Sequence, residues 1–241
     1  MLGTGSAFAK KYFNNNALVS YNGFRLLIDL GVTGSLSLHQ LGIGMDKIDA
    51  VLITHLHADH IGGLEEYAYQ MKFVYGRKPR LYVPDVLIRP LWENSLRGGL
   101  EHDTEGPQTM SDYFEVIPVY PGTPVAFRGG LTVEAVRTTH VPGKPSFSLF
   151  LNGSIFYSCD IIFDRSLLQH VHQERACHTI LHDCQLSSPG VVHASLDELL
   201  TLPDELQEKI WLMHYGDTME AFIGKTGKMR FLRQHEAYTF P

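Results

Sequence analysis

The sequence predicts an α/β fold with sheets sandwiched between helices, and three observations support it. Two pairs of strand-like segments meet at Asn22-Gly23 and Asn152-Gly153. Asn-Gly readily takes the left-handed turn that a two-residue hairpin needs, so both pairs read as meanders. Elsewhere short apolar runs alternate with helix-length segments closed by glycine or proline, the pattern of a layered α/β protein. At 241 residues, 44% hydrophobic and 19% charged, the chain has the length and composition of a water-soluble globular protein with a sizeable core. Without an internal repeat, low-complexity tract or linker, one domain spanning 1–241 is expected.

Gly3-Thr-Gly5 is a turn. Only Met1 and Leu2 precede it, so a strand there is either a stub or begins upstream. Ala17–Ser20 and Phe24–Leu30 are the first two strands, and Gly34–Leu41 is a short amphipathic helix stopped at Gly42. Ala50–Ile53, an apolar run after the polar Asp46–Asp49 turn, reads as a buried strand. A helix follows from about Leu64 to Tyr75, closed by Gly76 and Pro79, then a strand over Arg80–Val83. Asp85 is placed to cap a helix running to about Leu96. Arg97–Ser111 is Gly-rich and aperiodic, a surface loop or lid. Tyr113–Tyr120, Leu131–Thr138, Ser146–Leu151, Ser154–Ser158, Thr179–Leu181 and Ile210–Met213 are strands. Ser166–Arg175 is helical, and Leu196–Leu200 begins a helix.

The chemistry concentrates in Val51-Leu-Ile-Thr-His-Leu-His-Ala-Asp-His60. Side chains alternate along extended backbone, so His55 and His57 share one side. Asp59 and His60 follow once the strand has ended and approach the same point from the start of a helix. Two adjacent metal ions need separate ligand sets converging in this way, with positions left for water and substrate. Capping a strand-to-helix turn would account for one or two of these residues. Three imidazoles beside an apolar strand would be costly without a metal.

The His-x-His-x-Asp-His spacing resembles the signature of the metallo-β-lactamase superfamily. Leu2-Gly-Thr-Gly-Ser-Ala7 and Leu26-Leu-Ile-Asp-Leu-Gly31 are similar to the opening of its RNase Z-like branch. His140, the Ser158-Cys-Asp160 strand end and Leu212-Met-His-Tyr-Gly216 fall in the superfamily's order, so the likeness runs to about Gly216. It implies a four-layer αβ/βα sandwich of two mixed sheets between helices. It also implies two divalent metal ions, zinc first, with manganese or iron as alternatives. His55, His57 and His140 would hold one ion and Asp59, His60 and His214 the other, with Asp160 bridging. Asp29 would orient the histidine loop. Asp59 would also help deprotonate the attacking water. The proton donor is sought in Leu181-His-Asp-Cys-Gln-Leu186 and Val192-His-Ala-Ser195, where Asp183 would orient His193. Here the match is looser: Asp stands for the branch's Glu, Ala194-Ser195 for its Ser-Thr, and the spacing is shorter.

The resemblance points to phosphodiesters and, within them, to the armless small-substrate relatives. Only one hairpin separates His140 from Asp160, where RNase Z carries a long tRNA-gripping arm. The net charge of −6 also argues against a stable nucleic-acid partner. The expected substrate is a 3′,5′-cyclic nucleotide, as for the phage anti-Pycsar enzymes that degrade cyclic CMP and cyclic UMP and so evade cyclic-nucleotide antiphage defence. The alternatives are an RNase Z-type tRNA 3′-end endonuclease and an inactive nucleotide-binding member. Lys144 or Ser146 is a candidate for phosphate contact. Trp92, Tyr113, Phe114, Phe147 and the Leu96–Ser111 loop are candidates for the base. The likeness implies a homodimer in which the 97–111 stretch completes a neighbour's pocket. No segment has the apolar length of a membrane span. Three cysteines, Cys159, Cys177 and Cys184, without a CxxC pair fit a reducing cytoplasm, the host's if the source is viral.

Overall fold

Asn22 and Gly23 stand at φ 46° and 77°, closing β1 (Ala17–Tyr21) onto β2 (Phe24–Ile28) as that dipeptide predicts. The structure, a computed structural model, describes residues 1–102 and 106–241. After β2 come α1 (Gly34–Gln40), β3 (Ala50–Leu52), α2 (Ala58–Ile61) and α3 (Leu64–Tyr69), which continues in wider turns over Gln70–Val74. Then follow β4 (Arg80–Pro84), α4 (Asp85–Leu91), more wide turns over Trp92–Leu96, α5 (Arg97–Leu100) and β5 (Glu115–Val119). These five strands form one sheet in the order β1-β2-β3-β4-β5, antiparallel only between β1 and β2.

The second sheet begins with β6 (Val125–Ala126), β7 (Thr132–Thr138), β8 (Ser146–Leu151) and β9 (Ile155–Tyr157). It goes on through α6 (Arg165–Gln173), β10 (Thr179–Asp183), α7 (Leu196–Leu199), α8 (Asp204–Gln207), β11 (Ile210–Met213) and β12 (Arg230–Phe231). Its seven strands lie in the order β12-β11-β10-β9-β8-β7-β6. The period-two alternation of its strands divides the interior. Phe147, Leu149, Leu151, Tyr157, Leu181 and Met213 join the core that contains the first sheet. Phe150, Phe156, Ile180, Ile210 and Leu212 face the other way, against Leu168 and Val171 of α6 and Leu196 and Leu199 of α7. On the first sheet's side, Leu38, Leu64, Tyr67, Leu87 and Leu91 bring α1, α3 and α4 into the larger core. The result is two mixed sheets face to face between helices.

Several expectations are corrected. Asp85 is the first residue of α4 and does not cap it; Pro84 holds the cap position. The helix runs past Leu96 through Leu100 because Leu96 and Leu100 are buried and Arg97 pairs with both Glu93 and Glu101. Residues 97–100 of the expected loop are therefore helical, and 103–105 lie outside the described residues. The strand expected to reach Leu30 ends at Ile28, since Asp29 takes φ 58°. Trp92, Tyr113, Phe114 and Phe147 are corrected from base-contact candidates to core residues. They are buried to within 8% of full occlusion, and the Tyr113 hydroxyl donates to the Leu100 carbonyl and to Gln108. All three cysteines are free and buried. Among the described residues no helix is long and apolar enough to cross a membrane.

Candidate metal centre

Pairing of β3 ends at Leu52, and the next eight residues carry the motif. Thr54, buried, donates its backbone N–H to Asp29 Oδ1 at 2.8 Å and its hydroxyl to Asp29 Oδ2 at 2.7 Å. His57 is extended at φ −85°, ψ 153° and stands at the cap of α2, so Asp59 and His60 fall in that helix's first turn. The chain reaches one point twice, before and after the bend. Backbone contacts lock this loop to the one after β2: Leu30 N–H donates to the His60 carbonyl at 2.8 Å and Val32 N–H to that of Ala58 at 3.2 Å. Gly31 is required by close approach, because a Cβ there would lie 1.9 Å from the Asp59 carbonyl oxygen. Asn16, wholly buried, spans both loops, accepting from Gly31 N–H at 3.0 Å and donating to the Asp59 carbonyl at 3.3 Å.

The remaining donors arrive at strand ends of the second sheet. His140 follows β7, Asp160 follows β9 and His214 follows β11. Asp29, Cys159 and His214 all have φ between 51° and 58°, a left-handed conformation uncommon for residues with a Cβ. Such strain concentrates at functional sites, where the surrounding fold over-determines it. Here it turns three strand ends inward to one cavity.

Two sets of ligand atoms result, each set within 4.8 Å of mutual separation. In one, His57 Nδ1 lies 3.1 Å from His55 Nε2 and 3.2 Å from His140 Nε2, and Asp160 Oδ2 lies 3.6 and 3.7 Å from the latter two. In the other, Asp59 Oδ2 lies 3.3 Å from both His60 Nε2 and His214 Nε2. Asp160 stands 3.3 Å from each of the same two rings, through Oδ1 to His60 and Oδ2 to His214. Ligands bound at about 2.0–2.1 Å to a tetrahedral ion stand roughly 3.3 Å apart, so both sets fit a divalent cation. His60 Nε2 and Asp160 Oδ1 are buried without a hydrogen-bond partner, an arrangement a cation would relieve.

The far side of each ring is fixed as well. Nδ1 of His60 donates to Asp29 Oδ2 at 2.7 Å and Nδ1 of His140 to the Val192 carbonyl at 2.6 Å, which leaves Nε2 of both as the inward acceptor. The His214 Nδ1 sits 3.3 Å from Asp183 Oδ1, an electrostatic contact outside hydrogen-bond angles. Asp29 and Asp183 also fall in ligand-like clusters, with His55/His60 and with Asp160/His193/His214. Both Asp29 oxygens already serve Thr54 and His60, and Asp183 Oδ2 accepts from Ile161 N–H and His193 while its Oδ1 faces His214 Nδ1, contacts that suit an orienting role.

Burial pushes the His55 imidazolium well below its ordinary range, helped by its neighbour His60, so the neutral, metal-binding form is favoured. Burial alone would raise the carboxyls of Asp59 and Asp160, but His214 and His60 outweigh it and hold both ionised. His193 donates Nδ1–H to Asp183 Oδ2 at 2.7 Å, is one-fifth exposed, and sets its ring stacked on His214 at 4.7 Å and tilted against His140 at 4.6 Å. His182 points elsewhere: it is buried, with Nδ1 on the Asp183 backbone carbonyl.

A cleft of about 310 Å³ reaches His55, His57 and His140 and includes Asn94, Lys144 and Ser146. Ser146 is corrected as a phosphate donor, because it is buried and its hydroxyl donates to the Thr138 carbonyl at 2.9 Å. Asn16, Thr54 and the Val192 carbonyl were not foreseen. The run Asn14-Asn15-Asn16 before a strand is the one signal that could have found the first.

The sequence profile of the family described as anti-Pycsar protein Apyc1 matches residues 1–238. An anti-Pycsar protein Apyc1 of Paenibacillus xerothermodurans is 54% identical over 240 residues, covering 100% of this chain and 96% of its own. A protein of that name from Bacillus phage BSP38 is 47% identical over 250 residues, covering 99% of this chain and 96% of its own. Among solved structures, the metallo-β-lactamase fold protein YhfI of Bacillus subtilis superposes with a TM-score of 0.74 at 17% identity, over 96% of this chain and 94% of that one. The chain has the metallo-β-lactamase fold.

Proposed function

As a member of the anti-Pycsar Apyc1 family, to which the chain belongs, the protein is a metal-dependent hydrolase, and we propose that it opens 3′,5′-cyclic nucleotides to mononucleotides. Cyclic CMP and cyclic UMP are the first substrates expected, cyclic AMP and cyclic GMP the next. The observation that supports a phosphodiesterase is the Asp183–His193 pair at 2.7 Å, set directly beside two ligand sets that share Asp160.

In this reading His55, His57, His140 and Asp160 would hold one ion, and Asp59, His60, His214 and Asp160 the other. Nitrogen and oxygen donors at these separations suit zinc, with manganese as the second choice. Two such ions would supply activated water and offset charge on the phosphoryl oxygens. Asp59, ionised between His60 and His214, would orient the attacking water and help deprotonate it. Asp183 accepts the hydrogen bond from His193 Nδ1–H, so Nε2 is the atom that would face substrate and, with the ring doubly protonated, give its proton to the leaving oxygen. The oxygen of water bonds to phosphorus, one ester P–O bond breaks, and the proton from His193 completes the ribose hydroxyl. Lys144 in the 310 Å³ cleft is available to a non-bridging phosphate oxygen.

A tRNA endonuclease gains no support from a chain with only the β8–β9 hairpin between His140 and Asp160. Purified protein loaded with zinc or manganese should hydrolyse cyclic CMP. Turnover of precursor tRNA without turnover of any cyclic nucleotide would overturn the reading. Association into a homodimer is part of the proposal, and sedimentation velocity over a dilution series tests it.

A further inference from the structure

A second cleft, of about 410 Å³, reaches the centre from residues the first does not touch. It is lined by His193 and His214, by Ser6, Ala7 and Phe8 of the loop after the Gly3-Thr-Gly5 turn, and by Gln185 and Phe222 among others. We propose that this cleft holds the nucleoside half of the substrate, with Phe8 as the wall on which the base stacks. The inference rests on the cyclic-nucleotide reading given above.

The location follows from the proton donor. In an in-line displacement the donor stands beside the leaving oxygen. In a 3′,5′-cyclic nucleotide both ester oxygens belong to the same ribose. Whichever P–O bond breaks, the nucleoside therefore lies on the side of His193, and His193 lines the second cleft and not the first.

Phe8 fits the role because its side chain is free while its backbone is held. It is 89% exposed, more than any other large hydrophobic among the described residues. Its loop is nonetheless fastened on both sides. Ser6 N–H donates to the Tyr215 carbonyl at 3.0 Å, Ala9 N–H to Ser6 at 3.1 Å, and the Lys10 and Lys11 amides to Asp217 at 2.8–3.0 Å. With the backbone already fixed, only the ring's own torsions remain to be ordered when a base stacks on it. Such stacking tolerates every base, since each has a π-face. Phe222 and Leu186 give the cleft further apolar surface, and Thr218 and Ser187 a polar edge.

The test compares Phe8→Ala and Gly216→Leu with wild type on cyclic CMP, cyclic AMP and a base-less analogue, methyl riboside 3′,5′-cyclic phosphate. Gly216 lines the cleft, and a Cβ built there meets no atom within 4 Å, so a side chain introduced at that position starts in open space. Phe8→Ala should raise KM for both nucleotides about 10-fold, with kcat held and the base-less analogue unaffected. The dissociation constant of cyclic CMP, measured by equilibrium dialysis in a His193→Ala background, should rise to the same extent. Gly216→Leu should weaken all three substrates. Unchanged KM and dissociation constant in Phe8→Ala, an equal loss on the base-less analogue, or an altered sedimentation coefficient marking Phe8 as a subunit contact would overturn the assignment. A wild-type enzyme inactive on every cyclic nucleotide would instead overturn the functional reading itself.

Discussion

His193 donates through Nδ1 to Asp183 Oδ2 at 2.7 Å, which leaves its Nε2 as the atom free to meet a substrate. If that nitrogen protonates the leaving oxygen, His193→Ala should keep its metal and lose turnover by roughly 10²–10⁴-fold. His57→Ala removes a ligand atom 3.1 Å from His55 and 3.2 Å from His140, so it should lose both activity and metal. Elemental analysis beside steady-state assay separates the two. Full turnover by His193→Ala would remove it from the chemistry.

Asp29 fixes three things at once: the Thr54 amide, the Thr54 hydroxyl and the Nδ1–H of His60. Asp29→Ala should therefore weaken metal binding by about 10–100-fold without removing a ligand. Competition with a chromophoric chelator would measure it. An unchanged metal dissociation constant would mean that packing alone orients His60.

How much of this was legible follows from where the information lies. The ligands His55, His57, Asp59 and His60 sit within six residues, so their convergence could be argued from strand alternation and a following helix. His140, Asp160 and His214 come from separate strand ends, and only the likeness to a known superfamily brought them in before the structure did. Asn16 was unreadable because its role is to join two backbones, Gly31 and Asp59, 15 and 43 residues away. The aromatic candidates failed for a plainer reason. Composition shows that Tyr113 and Phe147 exist, but not that both side chains are occluded by the core. Phe8, the one large aromatic among the described residues left almost wholly exposed, stands in a loop that carried no periodic signal.

The close approach of Gly31 to Asp59 gives a sharper test of how the fold builds the centre. A methyl group 1.9 Å from a backbone oxygen and 2.4 Å from its carbon cannot be absorbed by a rotamer change. Gly31→Ala should cost about 3 kcal/mol or more, the upper end for overpacking, and should weaken metal retention as the Asp59 backbone shifts. Denaturant titration and metal content should fall together. A stable variant with normal metal content would show that the loop moves freely.

The last expectation is a pH dependence away from the metal centre. Asp164 caps α6, its Oδ1 accepting from Leu167 N–H at 3.0 Å and from the Ser166 hydroxyl at 2.6 Å. Burial alone would raise its carboxyl, but these hydrogen bonds hold it below the usual carboxylate range. Because the folded value lies below the unfolded one, the cap's contribution is present above the unfolded value and is lost as pH falls through the folded one. Asp164→Ala should thus cost about 1 kcal/mol at neutral pH. The gap to wild type should close on acidification through the carboxylate range. Urea unfolding of both proteins across pH 3–8, with α6 reported by far-UV circular dichroism, checks the sign. A gap that stays constant down to the lowest pH would show that the ionised carboxylate contributes nothing to the cap.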